Sequence, residues 1–155
     1  MKIYISLPIT GQETLAREKA DRVKAALSRM GHHPVNPFDV YAGQTPEYAD
    51  YLCCDLRALA DCDAVYFCQG WDRSRGCRIE AAFASEMGIA AMYEESDGDR
   101  EARAFLKEHP TYRTADSDTW MYLASRATDP DLRRTLDDYA IRAYHAEDYD
   151  PRDYL

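Results

Sequence analysis

No stretch of this 155-residue chain approaches the ~20 uninterrupted apolar residues that cross a bilayer, and its start, MKIYISLP, has no basic segment leading into a long apolar run. The sequence therefore reads as cytoplasmic, with no membrane partner. Five cysteines, Cys53, Cys54, Cys62, Cys68 and Cys77, are odd in number and include no CxxC pair, so reduced thiols are expected and no metal site. Positive charge is scarce: 19 Lys and Arg stand against 28 Asp and Glu, and the one short basic cluster is Arg73, Arg75 and Arg78. A nucleic acid partner needs a basic stripe, so none is expected. No acid occurs from Ile3 to Pro8 and no lysine from 60 to 106. A phosphoacceptor receiver domain needs an acid pair at the end of its first strand and a late lysine, and is set aside. What is present is core material: 46% of residues are hydrophobic and 12% aromatic, too much for a disordered chain.

Charge and pattern divide the chain near residue 93. Residues 1–93 carry 12 acids and 10 bases, and residues 94–155 carry 16 and 9. In the first part, short apolar runs alternate with helical spacing. Lys2–Ser6 reads as a buried strand. Gly11 and Gln12 then open a helix that carries Leu15, Val23, Leu27 and Met30 and is capped by Gly31. His32–Asn36 reads as a second strand, broken by Asn36-Pro37 and followed by a polar loop. Pro46–Ala60 is a helix with Tyr48, Tyr51, Leu52, Leu56 and Leu59 on one side. Asp63–Cys68 is a strand, 70–76 a loop, Cys77–Met87 a helix and Ile89–Tyr93 a strand. Such a β-α-β-α-β-α-β series predicts a flavodoxin/Rossmann-like three-layer α/β sandwich on a parallel sheet of four to five strands. The acidic remainder predicts a helical extension, over about 99–108, 117–126 and 129–144, with Trp120, Tyr122, Leu123, Leu132, Leu136, Tyr139 and Ile141 burying against the domain or a second subunit. Residues 147–155 read as an arm or a frayed end.

In an open parallel sheet, ligands lie beyond the carboxyl ends of the strands. That selects Ser6 to Gly11, Asn36 to Gly43 and Gln69 to Glu80, with Gly11 and Gly76 just before helices, where free N–H groups favour an anion or hydroxyl. Glu80 falls in the first turn of its helix among Ile79, Ala81, Ala82 and Phe83, where an unpaired carboxylate is costly. Asp55 lies mid-helix among Leu52, Cys53, Leu56 and Leu59. Both helices flank the third strand, so the two carboxyls can converge above its end and divide the roles of nucleophile and acid. Each residue also has an ordinary explanation. The helix dipole alone favours an acid at the Glu80 position, and Asp55 can pair with Arg57 or Arg78 at the surface. Tyr4 and Trp71 are large aromatics of the kind that fill cores, although Trp71 sits in a loop.

The motifs Tyr4-Ile5-Ser6-Leu7-Pro8-Ile9-Thr10-Gly11, Gly31 through Asn36-Pro37, Asp55-Leu56-Arg57-Ala58-Leu59 with Cys62-Asp63-Ala64-Val65, and Gly70-Trp71-Asp72-Arg73-Ser74-Arg75-Gly76-Cys77 with Glu80 and Ala84 resemble the nucleoside 2-deoxyribosyltransferase superfamily. The nearest branch resembled is a group of small proteins with a YISGPMTG-like start and a GWxxSxGAxxE-like loop; Leu7 stands where that branch usually has glycine. The resemblance covers residues 1–93. It implies a flavodoxin-like fold and cleavage or transfer of the N-glycosidic bond of a nucleoside or nucleotide, without a cofactor and in a homo-oligomer. It implies that Glu80 is the nucleophile, Asp55 the acid that protonates the departing base, and Tyr4 a residue that orients Glu80. Substrate contacts fall by the same resemblance to Ser6, Pro8, Gly11, Ser74, Gly76 and Cys77, with Trp71 or Phe38 stacking on the base. The rival expectation is a nucleotide-binding, regulatory module that keeps the pocket without turnover.

Overall fold

Ile3 and Ile5 of β1 (Lys2–Ser6) pack on one side of the sheet and Tyr4 on the other, all three fully buried. This is the period-two alternation of a strand covered on both faces. The computed structural model describes residues 1–41 and 47–147. The chain divides into two compact units, Met1–Glu94 and one that begins at Glu95.

In the first unit β1 is followed by α1 (Glu13–Arg29), β2 (His33–Val35), a one-turn α2 (Pro37–Val40), α3 (Tyr48–Ala60), β3 (Ala64–Phe67), α4 (Arg75–Glu86) and β4 (Ala90–Tyr93). All pairings are parallel, and the strand order is β2-β1-β3-β4. That is the doubly wound order in which strand order reverses next to β1, and the reversal opens a crevice at the carboxyl end of the sheet. The fold is thus α/β, with helices on both faces of a four-stranded parallel sheet. Ala16, Ala20 and Leu27 of α1 pack on Ile3, Ile5 and Ala64. On the opposite face, Leu59 of α3 and Ala84 of α4 pack on Tyr4, Val65 and Phe67. Each large side chain so buried contributes roughly 1.5–3 kcal/mol of transfer free energy.

Several boundaries differ from the sequence reading. α1 begins at Glu13, because Gly11 adopts a positive φ of 79° and the Gln12 N–H closes a turn onto the Ile9 carbonyl at 3.0 Å. Gly31, at φ 82°, ends the helix, with its N–H on the Ser28 carbonyl. The expected polar loop after Asn36 starts instead as α2. The Asn36 side chain caps the Phe38 N–H at 3.0 Å, and Pro37 occupies the first helical position, where its missing N–H costs nothing. α4 begins at Arg75, two residues earlier than expected, because the Ser74 side chain accepts the Cys77 N–H. The expected helix start at Pro46, the Ala42 and Gly43 part of the loop, and the chain from Asp148 onward lie outside the described residues.

The second unit contains α5 (Asp97–Glu108), α6 (Ser117–Arg126) and α7 (Pro130–Glu147). Trp120, Leu123, Leu132 and Leu136 form its core, and the Trp120 indole N–H donates to the Tyr112 carbonyl at 3.1 Å. Tyr122 and Ile141, expected among the buried residues, are 51% and 58% exposed in this chain. Asp99 is the polar hub. Its carboxylate accepts from the Ser96 N–H and hydroxyl, the Thr128 N–H and hydroxyl, and the Asp129 N–H, at 2.6–3.1 Å. Burial opposes ionisation there, but these donors outweigh it and hold the carboxyl well below the usual range. Among the described residues no helix is long and apolar enough to cross a membrane.

Candidate active site

Residues two apart on a strand share a face, so β1 sends Tyr4 and Ser6 toward the same side, under α3 and α4. There they meet Glu80 of α4. The Tyr4 hydroxyl donates to Glu80 Oε1 at 3.0 Å and the Ser6 hydroxyl to Oε2 at 2.5 Å, so each carboxylate oxygen is held by one side-chain donor. Glu80 is 6% exposed and Tyr4 fully buried. Because α4 starts at Arg75, Glu80 lies in its second turn, and the first turn holds no acid. The helix dipole decays within that first turn, so it does not account for a carboxylate at this depth. The hydrogen bonds to β1 do.

Asp55 reaches the same point from α3, close enough for its charge to act on both Glu80 and Tyr4. Arg78, a possible surface partner for it, donates instead to the Asp72 carbonyl. Burial pushes the Glu80 carboxyl up to about 7; the Ser6 and Tyr4 hydrogen bonds oppose that rise and the charge of Asp55 adds to it. Burial likewise pushes Asp55 up to about 6, against the lowering effect of Tyr4. Tyr4 itself is raised well above its ordinary value, first by burial and then by the Glu80 charge, and so remains a donor. Between the two carboxyl values the pair holds roughly one proton, which is the arrangement that lets one carboxyl act as acid while the other acts as nucleophile.

A cavity of about 600 Å³ opens over this pair, within the range that takes a small-molecule ligand. Asp55, Glu80, Phe38, Ser74, Gly76 and Cys77 all line it. Ser74 and Cys77 bond each other across the first turn of α4, so the Cys77 N–H is occupied by the Ser74 hydroxyl. Burial pushes the Cys77 thiol up, as does the charge of Glu80, which keeps it protonated. Tyr4 and Ser6 stand behind Glu80 as its hydrogen-bond partners rather than among the lining residues. Pro8 lines a second, adjoining cavity.

Two further expected contacts, Gly11 and Trp71, line neither cavity. The Gly11 N–H is taken by the Glu13 carboxylate at 3.0 Å. Trp71 packs on Phe67 and Tyr93, with ring centroids 5.0 and 5.6 Å apart, and belongs to the core on that face. Gly70, at φ 86°, turns the chain and a 3-10 turn over Trp71–Arg73 folds the indole back onto the sheet. Of the two candidate stacking residues it is Phe38 that reaches the cavity, with the Arg17 guanidinium 4.4 Å from its ring centroid. Residues not singled out from the sequence also form the walls: Leu7, Tyr41, Tyr48, Tyr51 and Leu52. The spacing of Tyr48, Tyr51, Leu52 and Asp55 along one face of α3 was the available signal.

The fold and site define a doubly wound α/β domain with a buried, hydroxyl-bonded carboxylate beside a second carboxyl at the carboxyl end of its sheet. The chain belongs to the family described as Domain of unknown function (DUF4406), whose model matches residues 1–93. Among solved structures it is similar to a 2-deoxyribosyltransferase from the psychrotolerant bacterium Bacillus psychrosaccharolyticus. The identity is 18%, with 60% of this chain and 71% of that one covered and a TM-score of 0.49. No curated protein matches the chain.

Proposed function

We propose that the first unit cleaves or transfers the N-glycosidic bond of a nucleoside or nucleotide, with Glu80 as nucleophile and Asp55 as acid and base. The observation that carries this reading is the Tyr4–Glu80–Ser6 arrangement beside Asp55 in a ligand-sized cavity. The motif resemblance of residues 1–93 supports the substrate class.

The chemistry follows from the protonation of the pair. One Glu80 oxygen attacks the anomeric carbon of the sugar as the bond from that carbon to the base nitrogen breaks. The electron pair of that bond goes to the nitrogen, and Asp55 gives its proton to the leaving base. The glycosyl ester on Glu80 is then attacked by water or by a second base, which loses its proton to Asp55, and the Glu80 carboxylate is released. The higher value of Glu80 places the proton of the pair mainly on Glu80, so the reactive form, with Glu80 ionised and Asp55 protonated, is the minor tautomer; the Tyr4 and Ser6 hydrogen bonds hold both Glu80 oxygens in place and favour that form. Phe38 supplies an apolar ring to the base side of the cavity.

The test is base release, followed by chromatography, from a panel of nucleosides, deoxynucleosides and their 5′-monophosphates, with and without an acceptor base. Release from at least one member is expected, and its dependence on acceptor separates transferase from hydrolase. No release from any member, together with a rise in melting temperature on adding the same compounds, would replace this reading with that of a binding module.

A further inference from the structure

Beside the carboxylate cavity lies a second, open one of about 630 Å³, and the two share Ile9, Thr10, Tyr48, Ser74 and Gly76 as a common wall. Their linings differ in charge. The first contains three carboxylates, Glu13, Asp55 and Glu80, and one arginine, Arg17, which lies over the Phe38 ring, whereas the second contains Arg73 and Arg75 and no carboxylate. Among the described residues neither arginine makes an ion pair, although the chain as a whole has a net charge of −9. Lys19 and Lys24 of the same unit, by contrast, pair with Glu94 and Asp39 at 2.7 Å. Arg75 lines only the second cavity, with its guanidinium 5.7 Å from the centroid of the Tyr48 ring, which belongs to the common wall. Two unpaired guanidinium forks in a cavity match the oxygens of phosphate, which they bind in pairs of parallel hydrogen bonds.

Size says more than charge here. A lone phosphate needs only a small part of a space as large as the cavity that takes the nucleoside. We infer that the two cavities together bind a dinucleotide, in which two nucleosides are joined by a diphosphate. The diphosphate lies against Arg73 and Arg75, one nucleoside presents its glycosidic bond to Glu80, and the other occupies the second cavity. This rests on the reading above for the first nucleoside, and extends it to the substrate class.

The test is calorimetric binding to Glu80→Gln protein, which keeps the ligand intact, with NAD and diuridine diphosphate compared with AMP, UMP, adenosine and uridine. At least one dinucleotide should bind about tenfold or more tighter than its mononucleotide. The Arg73→Gln/Arg75→Gln double variant should lose that advantage while leaving nucleoside binding unchanged; both side chains are exposed, so the fold is not at stake. Equal affinity for dinucleotide and mononucleotide, an advantage that survives the double variant, or no binding of either dinucleotide would each overturn the inference. Base release by wild-type protein separates the two claims. Release from nucleosides with no dinucleotide advantage removes only the present inference, and a dinucleotide advantage with no release from any substrate, NAD included, removes only the catalytic reading.

Discussion

Glu80 is held by a hydroxyl on each oxygen in a site that burial makes unfavourable for charge, and the balance leaves its carboxyl near neutrality at about 7. Asp55, raised to about 6, is its partner. The proposed reaction needs a singly protonated pair, so its pH dependence has two limbs. As pH falls through about 6 both carboxyls become protonated and the nucleophile is lost; as it rises through about 7 both are ionised and the acid is lost. The kcat/KM profile is therefore expected to be a narrow bell with its maximum between those values, and Asp55→Asn should abolish the alkaline limb along with most of the activity. A profile flat from pH 5 to 9 would show that this pair does not carry the chemistry. Removing the Tyr4 hydroxyl has the opposite sign on Glu80 to removing Asp55, because the hydroxyl lowers its pKa and the charge of Asp55 raises it.

At the scale of elements, helix entry points decide where these groups arrive. Ser74 starts α4 two residues before the glycine that the sequence reading took as its boundary, and this moves Glu80 from the first turn to the second, onto β1. The cap was legible as Ser74 three residues ahead of Cys77, but Gly76 is the stronger punctuation in a sequence and masked it. Periodicity showed that Tyr48, Tyr51 and Leu52 share a face of α3. It did not distinguish a face that meets the core from one that meets a cavity, since both favour apolar and aromatic side chains. Trp71 failed in the other direction, because a positive φ at Gly70 and a 3-10 turn bring a loop aromatic back to Phe67 and Tyr93. In the second unit the contact of α5 with the end of α6 depends on the absence of a side chain. A Cβ on Gly98 would stand 2.2 Å from the Arg126 carbonyl oxygen, which is backbone and cannot swing away. Gly98→Ala should therefore lower the stability of that unit by roughly 2–3 kcal/mol, read as lost hydrogen-exchange protection in α5 and α6, despite the better helix propensity of alanine. Unchanged protection would mean that the two helices separate freely.

For the whole molecule, the parallel sheet and its two helical layers were readable because alternation, glycine caps and strand lengths all agree along residues 1–93. The position of the site followed from the rule that ligands lie beyond the carboxyl ends of parallel strands, and the convergence of Asp55 and Glu80 from the two helices that flank the third strand. The residue pattern withheld the hydroxyl partnership of Glu80: the resemblance alone implied that Tyr4 orients it, and Ser6 was expected as a substrate contact rather than as a second donor to that carboxylate. Tyr4 and Ser6 lie 76 and 74 residues from it along the chain, and only the register of β1 against the helices above it brings them together. The central claim is that the bond-breaking nucleophile is Glu80. The most direct measurement is the rate of base release by Glu80→Gln beside wild-type protein, with thermal unfolding of both recorded at the same pH. Burial favours an uncharged group at this position, so the amide should leave the melting temperature equal or higher while release falls about a thousandfold or more. Release within tenfold of wild type, from a variant that melts no lower, would contradict the account.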